Sequence, residues 1–273
     1  MIEIKLLYGI HKDKLVHISQ VESGIKCGCI CPACQATLVA RKGTEKRHHF
    51  AHHNSETCNY AVETALHLVS KNIISASGYI KLPAVLIDFG YRPSYEIAPI
   101  NTYKIDSVCV EKRLGNIIPD LIVMIGGSEL LVEICVTNKV DDLKLSKIKS
   151  IGMSAIEIDL RGMSYDLDFD SIQKLIIDGI GNKKWIYNKR KEHLFKKLVS
   201  FCVPKKTVSR GCAHHVDNCP INIRVWKGKS YANVIDDCCG CEHHLFYSDV
   251  EGVYCCGHNI KVSQFLKQQA VQA

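Results

Sequence analysis

Apolar residues recur at helical spacing at Val62, Leu66, Val69, Ile73 and Ala76, and Gly78 stops the run, so the pattern predicts a helix. On the same helix Glu63, His67 and Lys71 stand at i, i+4 and i+8, a polar ridge beside the apolar stripe. Taken alone, such a ridge reads as a solvated ladder of charges. Extended segments follow. Residues 103–111 read as a strand, 112–116 as a turn, and 117–125 as a second strand with Pro119 and Asp120 near its start. Gly126 and Gly127 make a hairpin into a third strand over 130–137. Asp141 and Asp142 open a helix that runs to Ile151 and ends at Gly152, and 154–160 form a fourth strand. Helix, three-strand meander, helix, strand is the order of an α+β core.

Two acids break the apolar strands. Asp120 and Glu133 fall on adjacent hairpin strands whose other residues are nearly all apolar. Burying an isolated carboxylate costs several kcal/mol, on the order of a whole domain's margin of stability. A pair is tolerable with a cation between them, and few oxygen ligands completed by water suit Mg²⁺ or Mn²⁺. Such an ion activates water and stabilises the charge of phosphodiester cleavage. On strand alternation Glu133, Cys135 and Thr137 share a face. The competing reading has Asp120 ending a turn and Glu133 paired with Lys144 or Lys147.

Composition adds one outlier. The 273 residues include 15 cysteines and 13 histidines, and most of the cysteines fall in two groups, 27–58 and 202–256. An odd, clustered set mixed with histidine, without a secretory leader, reads as zinc sites in a reducing compartment, so a cytoplasmic location is expected. The longest apolar run, 117–136, contains Asp120, Glu129 and Glu133, so no membrane span is expected. The net charge of +7 permits a phosphate-rich partner without demanding one.

Cys31 and Cys34 form a Cys-x2-Cys knuckle, a spacing that lets one tight turn aim two thiolates at one ion. With His52 and Cys58 they make four tetrahedral donors, and His49 competes with His52. Cys27 and Cys29 are unassigned. In the C-terminal group Cys238 and Cys241 make a second knuckle, completed by Cys219 and by Cys255 or Cys256, as in a zinc ribbon. So short a segment with few large apolar residues needs such a staple. Cys202, Cys212, His214 and His215 offer a further, weaker set. Between the two groups, residues 183–197 carry seven Lys or Arg and one acid, with Trp185 and Tyr187 interleaved. This reads either as a surface for DNA phosphates and bases or as an amphipathic helix with wet lysines. The tail at 268–270 is expected to fray.

The ordered combination of Cys31-Pro-Ala-Cys34, residues 38–43 (Leu-Val-Ala-Arg-Lys-Gly), residues 48–52 (His-His-Phe-Ala-His), Cys58, Glu63 through His67 to Lys71, Pro119-Asp120, Glu133 to Thr137, Lys144 and 155–160 resembles the competence protein CoiA-like family. That family is counted among predicted nucleases of the PD-(D/E)xK restriction-endonuclease-like superfamily, and the resemblance covers about half the chain, from Cys27 to Leu160. It implies a nuclease-type αβββαβ core behind an N-terminal zinc-binding segment, and DNA as partner; with the C-terminal zinc-binding module read from cysteine spacing, the expected fold is an α+β core flanked by zinc-binding modules on both sides. It assigns the divalent metal to Asp120 and Glu133, with Glu63 completing the site. The superfamily's lysine falls on Cys135, and a neutral thiol cannot supply an ammonium's charge. Lys144 from the following helix is the expected substitute, and Lys139 a weaker one.

The expected division is an N-terminal zinc segment over 1–60, a nuclease-like core over 61–165, a basic connector over 166–200 and a zinc-ribbon-like module over 201–273. The expected function is a Mg²⁺- or Mn²⁺-dependent DNA nuclease or processing factor, in uptake, recombination or defence. The alternatives are a catalytically silent nucleic-acid-binding protein and a zinc- or redox-responsive regulator.

Overall fold

A computed structural model describes residues 5–54, 58–90, 94–161, 169–248 and 250–270. The chain divides into two compact units: Met1–Pro83 with Asn101–Tyr187, and Ala84–Ile100 with Asn188–Ala273. The boundaries differ from a cut at 60, 165 and 200. Residues before 61 share a unit with the central sheet, and the basic stretch straddles the boundary at Tyr187.

The first unit is built on a five-stranded sheet. Its elements are α1 (Ala61–Ala76), β1 (Ser107–Val110), β2 (Leu121–Ile125), β3 (Ser128–Cys135), α2 (Asp142–Ile151), β4 (Ser154–Asp159), α3 (Phe169–Ile177) and β5 (Lys183–Tyr187). The strand order is β5-β4-β3-β2-β1. β3 and β4 are parallel, joined through α2, and the other neighbours are antiparallel. The β2–β3 hairpin turns through Gly126 and Gly127, both at positive φ (54° and 76°), a conformation that costs side-chain-bearing residues and not glycine.

Alternation divides the sheet into two faces. Leu121, Val123, Val132, Ile134, Ile156 and Ile158 face the cluster that includes Leu66, Val69 and Ile73 of α1 and Ile172 and Ile176 of α3. Ile122, Leu131 and Ala155 face Ile148 of α2. Glu133 and Cys135 of β3 and Glu157 of β4 therefore project on the α2 side.

Three boundaries depart from expectation. The stretch read as one strand over 103–111 serves two sheets: Asn101–Lys104 pairs with Tyr79–Leu82, and β1 pairs with β2. Residues 117–120 are not strand: Ile117 closes the turn at Gly115 and Asn116 by its bridge to Leu114, and Pro119, which lacks an N–H, lies in the irregular stretch before β2. β3 ends at Cys135, so Thr137 leaves the face it was expected to share with Glu133.

The basic stretch 183–197 is neither a helix throughout nor a free surface. β5 completes the sheet, and Asn188 then caps a separate helix, Lys189–Ser200. Lys183 is buried and donates to the carbonyls of Lys81 and Ile177, and Trp185 donates to the Pro83 carbonyl. Trp185 and Tyr187 are half-buried and pack against the cores on the two sheet faces.

The second unit holds a three-stranded sheet (Val203–Lys205, Gly252–Cys255, His244–Ser248) and a four-stranded one (Thr207–Arg210, Ala213–Asp217, Lys229–Asn233, Arg224–Trp226). The tail expected to fray is instead the end of a helix, Val262–Ala270, whose Val262, Phe265 and Leu266 are buried. Among the described residues no helix is long and apolar enough to cross a membrane.

Candidate functional site

The knuckle at the N-terminus is closed by backbone bonds from Cys31 N to Ala36 O and from Gln35 N to Cys31 O, with Gln35 at φ +62°. Leu38–Arg41 and His49–His52 pair antiparallel, Leu38 opposite His52, which brings His52 to the knuckle. One ligand atom each of Cys31, Cys34, His52 and Cys58 lies within 4.8 Å of all the others, with Cys34 Sγ 3.3 Å from His52 Nε2. Donors at about 2.0–2.3 Å from a tetrahedral ion stand a little under 4 Å apart, so this Cys₃His set can hold zinc. His49 is turned away, with Nδ1 against the Arg47 carbonyl. Cys27 and Cys29 are core thiols that donate to the Leu38 and Cys27 carbonyls, and burial pushes Cys29 up to about 12.

The four expected C-terminal cysteines, Cys219, Cys238, Cys241 and Cys255, line one cavity of about 20 Å³. Three of them belong to the small buried cluster of that unit, with Val216, Ala232 and Val253. Cys238 interacts electrostatically with Cys219, Cys241 and Cys255, and Cys255 with Cys219 and Cys241, so the four thiols are neighbours. Cys256 is disulfide-bonded to Cys202, which leaves Cys255 as the donor and breaks up the weaker set of Cys202, Cys212, His214 and His215. His214 Nδ1 lies 3.1 Å from the Ser209 hydroxyl.

The acidic residues of the sheet meet in a cleft of about 260 Å³ lined by His67, Asp120, Glu133, Cys135, Lys144 and Glu157, among others. Asp120 lies where the turn enters β2. Its Oδ2 accepts from Ile134 N at 2.9 Å, and its Oδ1 stands 2.8 Å from Lys71 Nζ and 3.7 Å from His67 Nδ1. Burial raises the Asp120 carboxyl, but the bonds from Lys71 and Ile134 outweigh it and hold the group below its ordinary value. The α1 ridge is thus not a wet ladder. Lys71 is buried and bridges Asp120 and Glu111, and burial lowers the His67 imidazole.

Glu133 is 3% exposed. Lys144 Nζ donates to its Oε2 at 2.6 Å, while its buried Oε1 has no hydrogen-bond partner. Burial outweighs the lysine and pushes this carboxyl up to about 7. Lys144 is placed by the helix start itself: the Asp141 side chain caps α2 by accepting from Lys144 N at 2.6 Å. Lys139 also lines the cleft.

Glu63 stands apart from this group. It is not among the residues lining the cleft, and its Oε1 accepts from the Thr137 hydroxyl at 2.5 Å. Among the described residues Glu63, Asp120 and Glu133 do not bring their oxygens within 4.8 Å of one another. Sequence reasoning gave Glu157 no part in the site. It pairs in register with Glu133 across β3 and β4, is 4% exposed, and accepts from Val140 N. Its signal resembled the one that marked Glu133, an acid set among apolar residues of a strand, here with Asp159 two positions on.

Fold and clusters define a mixed α+β protein with a Cys₃His group able to hold zinc and, in the same unit, an acidic cleft on the α2 side of the sheet. Residues 12–61 match the family model "Competence protein CoiA, N-terminal domain", a span that contains all four Cys₃His donors and supports a CoiA-like relationship. No curated protein and no solved structure matches the chain.

Proposed function

We propose that this chain is a metal-dependent DNA nuclease of the PD-(D/E)xK type, with Asp120 and Glu133 as the metal-binding acids and Lys144 in the role of the missing lysine. The observation that carries the reading is the meeting of Asp120, Glu133 and Lys144 in one cleft, with the ammonium on Glu133. Mg²⁺ or Mn²⁺ bound there would supply an activated water and charge stabilisation. The unpartnered Glu133 Oε1 fits a ligand oxygen. Lys144 offers a positive charge to the phosphoryl oxygens, and His67 and Lys71 fix Asp120. Glu63, bonded to Thr137 outside the cleft lining, takes no part in this reading.

The silent-binder alternative rests on a different observation. Both Asp120 oxygens already have partners, Lys71 and Ile134 N, which a metal would have to share. Nicking of single- and double-stranded DNA with Mg²⁺ or Mn²⁺ decides between them. The proposal expects cutting by wild type and none by folded, zinc-loaded Asp120→Ala and Glu133→Ala. Equal DNA binding by all three without cutting favours the alternative.

A further inference from the structure

The function proposed for the sheet cleft leaves the cysteines of the second unit without a task. Cys219, Cys238, Cys241 and Cys255 come from three segments of that unit and line one cavity of about 20 Å³. Such a void is room for roughly one water-sized sphere.

Three local structures aim them. Cys241 N donates to Cys238 O at 3.1 Å, the tight turn that a Cys-x2-Cys knuckle requires. Cys219 lies just past the strand Ala213–Asp217, in a turn with Asn218 and Asn222 both at positive φ, closed by Asn222 N donating to Cys219 O at 3.1 Å. Cys255 ends the strand Gly252–Cys255, and its Sγ accepts from Gly257 N at 3.4 Å. Outer partners of this kind orient metal ligands. The other donors at the cavity are engaged elsewhere. Arg224 and Asn233 N take the two Asp237 oxygens, and His244 Nδ1 lies 2.8 Å from the Cys238 carbonyl. Cys239 is outside the lining, and Cys256 is bonded to Cys202.

A second observation is what surrounds the cavity. The buried cluster there is Val216, Cys219, Ala232, Cys238, Val253 and Cys255: half of it is cysteine, and no side chain is larger than valine. Side chains this small bury too little apolar area to offset the ordering of the turns that carry the cysteines. Bound zinc contributes folding free energy directly.

We propose that Cys219, Cys238, Cys241 and Cys255 hold one zinc ion as four thiolates, a closed tetrahedral site that ties the three-stranded sheet of the second unit to the four-stranded one. Zinc enters as the thiol protons leave to solvent. Four sulfur donors leave no open position, so the ion is structural and not catalytic, and Mg²⁺, which demands oxygen donors, is excluded. The site is separate from the Cys₃His cluster and stands whether or not Asp120 and Glu133 cut DNA.

The test is metal content and zinc X-ray absorption of the full-length protein, purified without chelator. Wild type is expected to carry two zinc ions per chain. Cys219→Ser and Cys241→Ser should each carry one, and Cys239→Ser two. A serine variant that fails to fold would lose zinc for that reason alone, so Cys34→Ala supplies a second reading. It lacks the N-terminal ion, and its one remaining zinc should show four sulfur neighbours at about 2.3 Å and no nitrogen. A single zinc in wild type that is lost altogether in Cys34→Ala would overturn the proposal. So would a nitrogen neighbour in Cys34→Ala, iron in place of zinc, or two zinc ions kept by folded Cys219→Ser and Cys241→Ser.

Discussion

The Lys144 ammonium stands 2.6 Å from Glu133 Oε2, although the two residues are 11 positions apart in sequence and a helix start separates their elements. Under the proposed function, a position on a helix serves where the superfamily pattern places a strand lysine. The geometry depends on the α2 cap, since the Asp141 carboxylate accepts from the backbone N–H of Lys144 itself.

Lys144→Met should therefore lower nicking by about 10²–10³-fold, the usual effect of removing one preorganised charge donor. DNA affinity should change little, because one phosphate-facing cation is a small part of the charge on a chain of net +7. Single-turnover rates beside binding isotherms check this.

Asp141→Ala removes the cap, and with it one carboxylate lining the cleft, while leaving Asp120, Glu133 and Glu157 in place. It should cost about 1 kcal/mol in urea unfolding and reduce nicking, while Asp141→Asn, which still caps, should retain most of both. Equal loss in the two variants would show that the cap does not position Lys144.

Glu133 gives a pH signature in metal-free protein. Its carboxyl titrates at 4.5 when unperturbed and is pushed up to about 7 in the fold. The folded state holds a proton that the unfolded chain releases, so this group's contribution is fully present below pH 4.5 and is lost as pH rises through about 7. The loss is on the order of 3 kcal/mol at about 1.4 kcal/mol per unit. Urea unfolding at pH 5 and pH 8 should show it in wild type and largely not in Glu133→Gln, and Mn²⁺ should restore stability at pH 8 in wild type alone.

The Cys₃His cluster predicts which residues hold the N-terminal zinc. Cys34→Ala and His52→Ala should each lower zinc content by one per chain and destabilise the first unit. His49→Ala and Cys29→Ala should keep it, since His49 faces the Arg47 carbonyl and Cys29 lies in the core. Metal analysis after dialysis, with thermal unfolding, separates the two pairs.

Much of this was legible where the signal is local. Asp141 and Gly152 bound α2 as their chemistry dictates, Gly126 and Gly127 supply a turn that needs two positive φ angles, and the knuckle spacing located the Cys₃His donors. What was not legible depends on distant partners. Whether Trp185 and Tyr187 stack on bases or pack is decided by a sheet built elsewhere in the sequence, and the run of lysines around them reads the same either way. The break at Ile105 and Asp106 exists because two different strands claim the two halves of one extended stretch. The family resemblance makes Glu63 a third metal acid, yet Thr137, past the end of β3 at Cys135, bonds it. Glu157 carried a mark resembling that of Glu133, and only the parallel register shows that the two share a cleft.

The central claim is that Asp120 and Glu133 jointly bind a hard divalent cation, and Mn²⁺ binding to the zinc-loaded protein, read by electron paramagnetic resonance, tests it most directly. The account predicts one bound Mn²⁺, displaced by excess Mg²⁺, in wild type and Cys135→Ser, and none in folded Asp120→Asn or Glu133→Gln. Mn²⁺ bound equally by all four proteins, or by none of them, would contradict it.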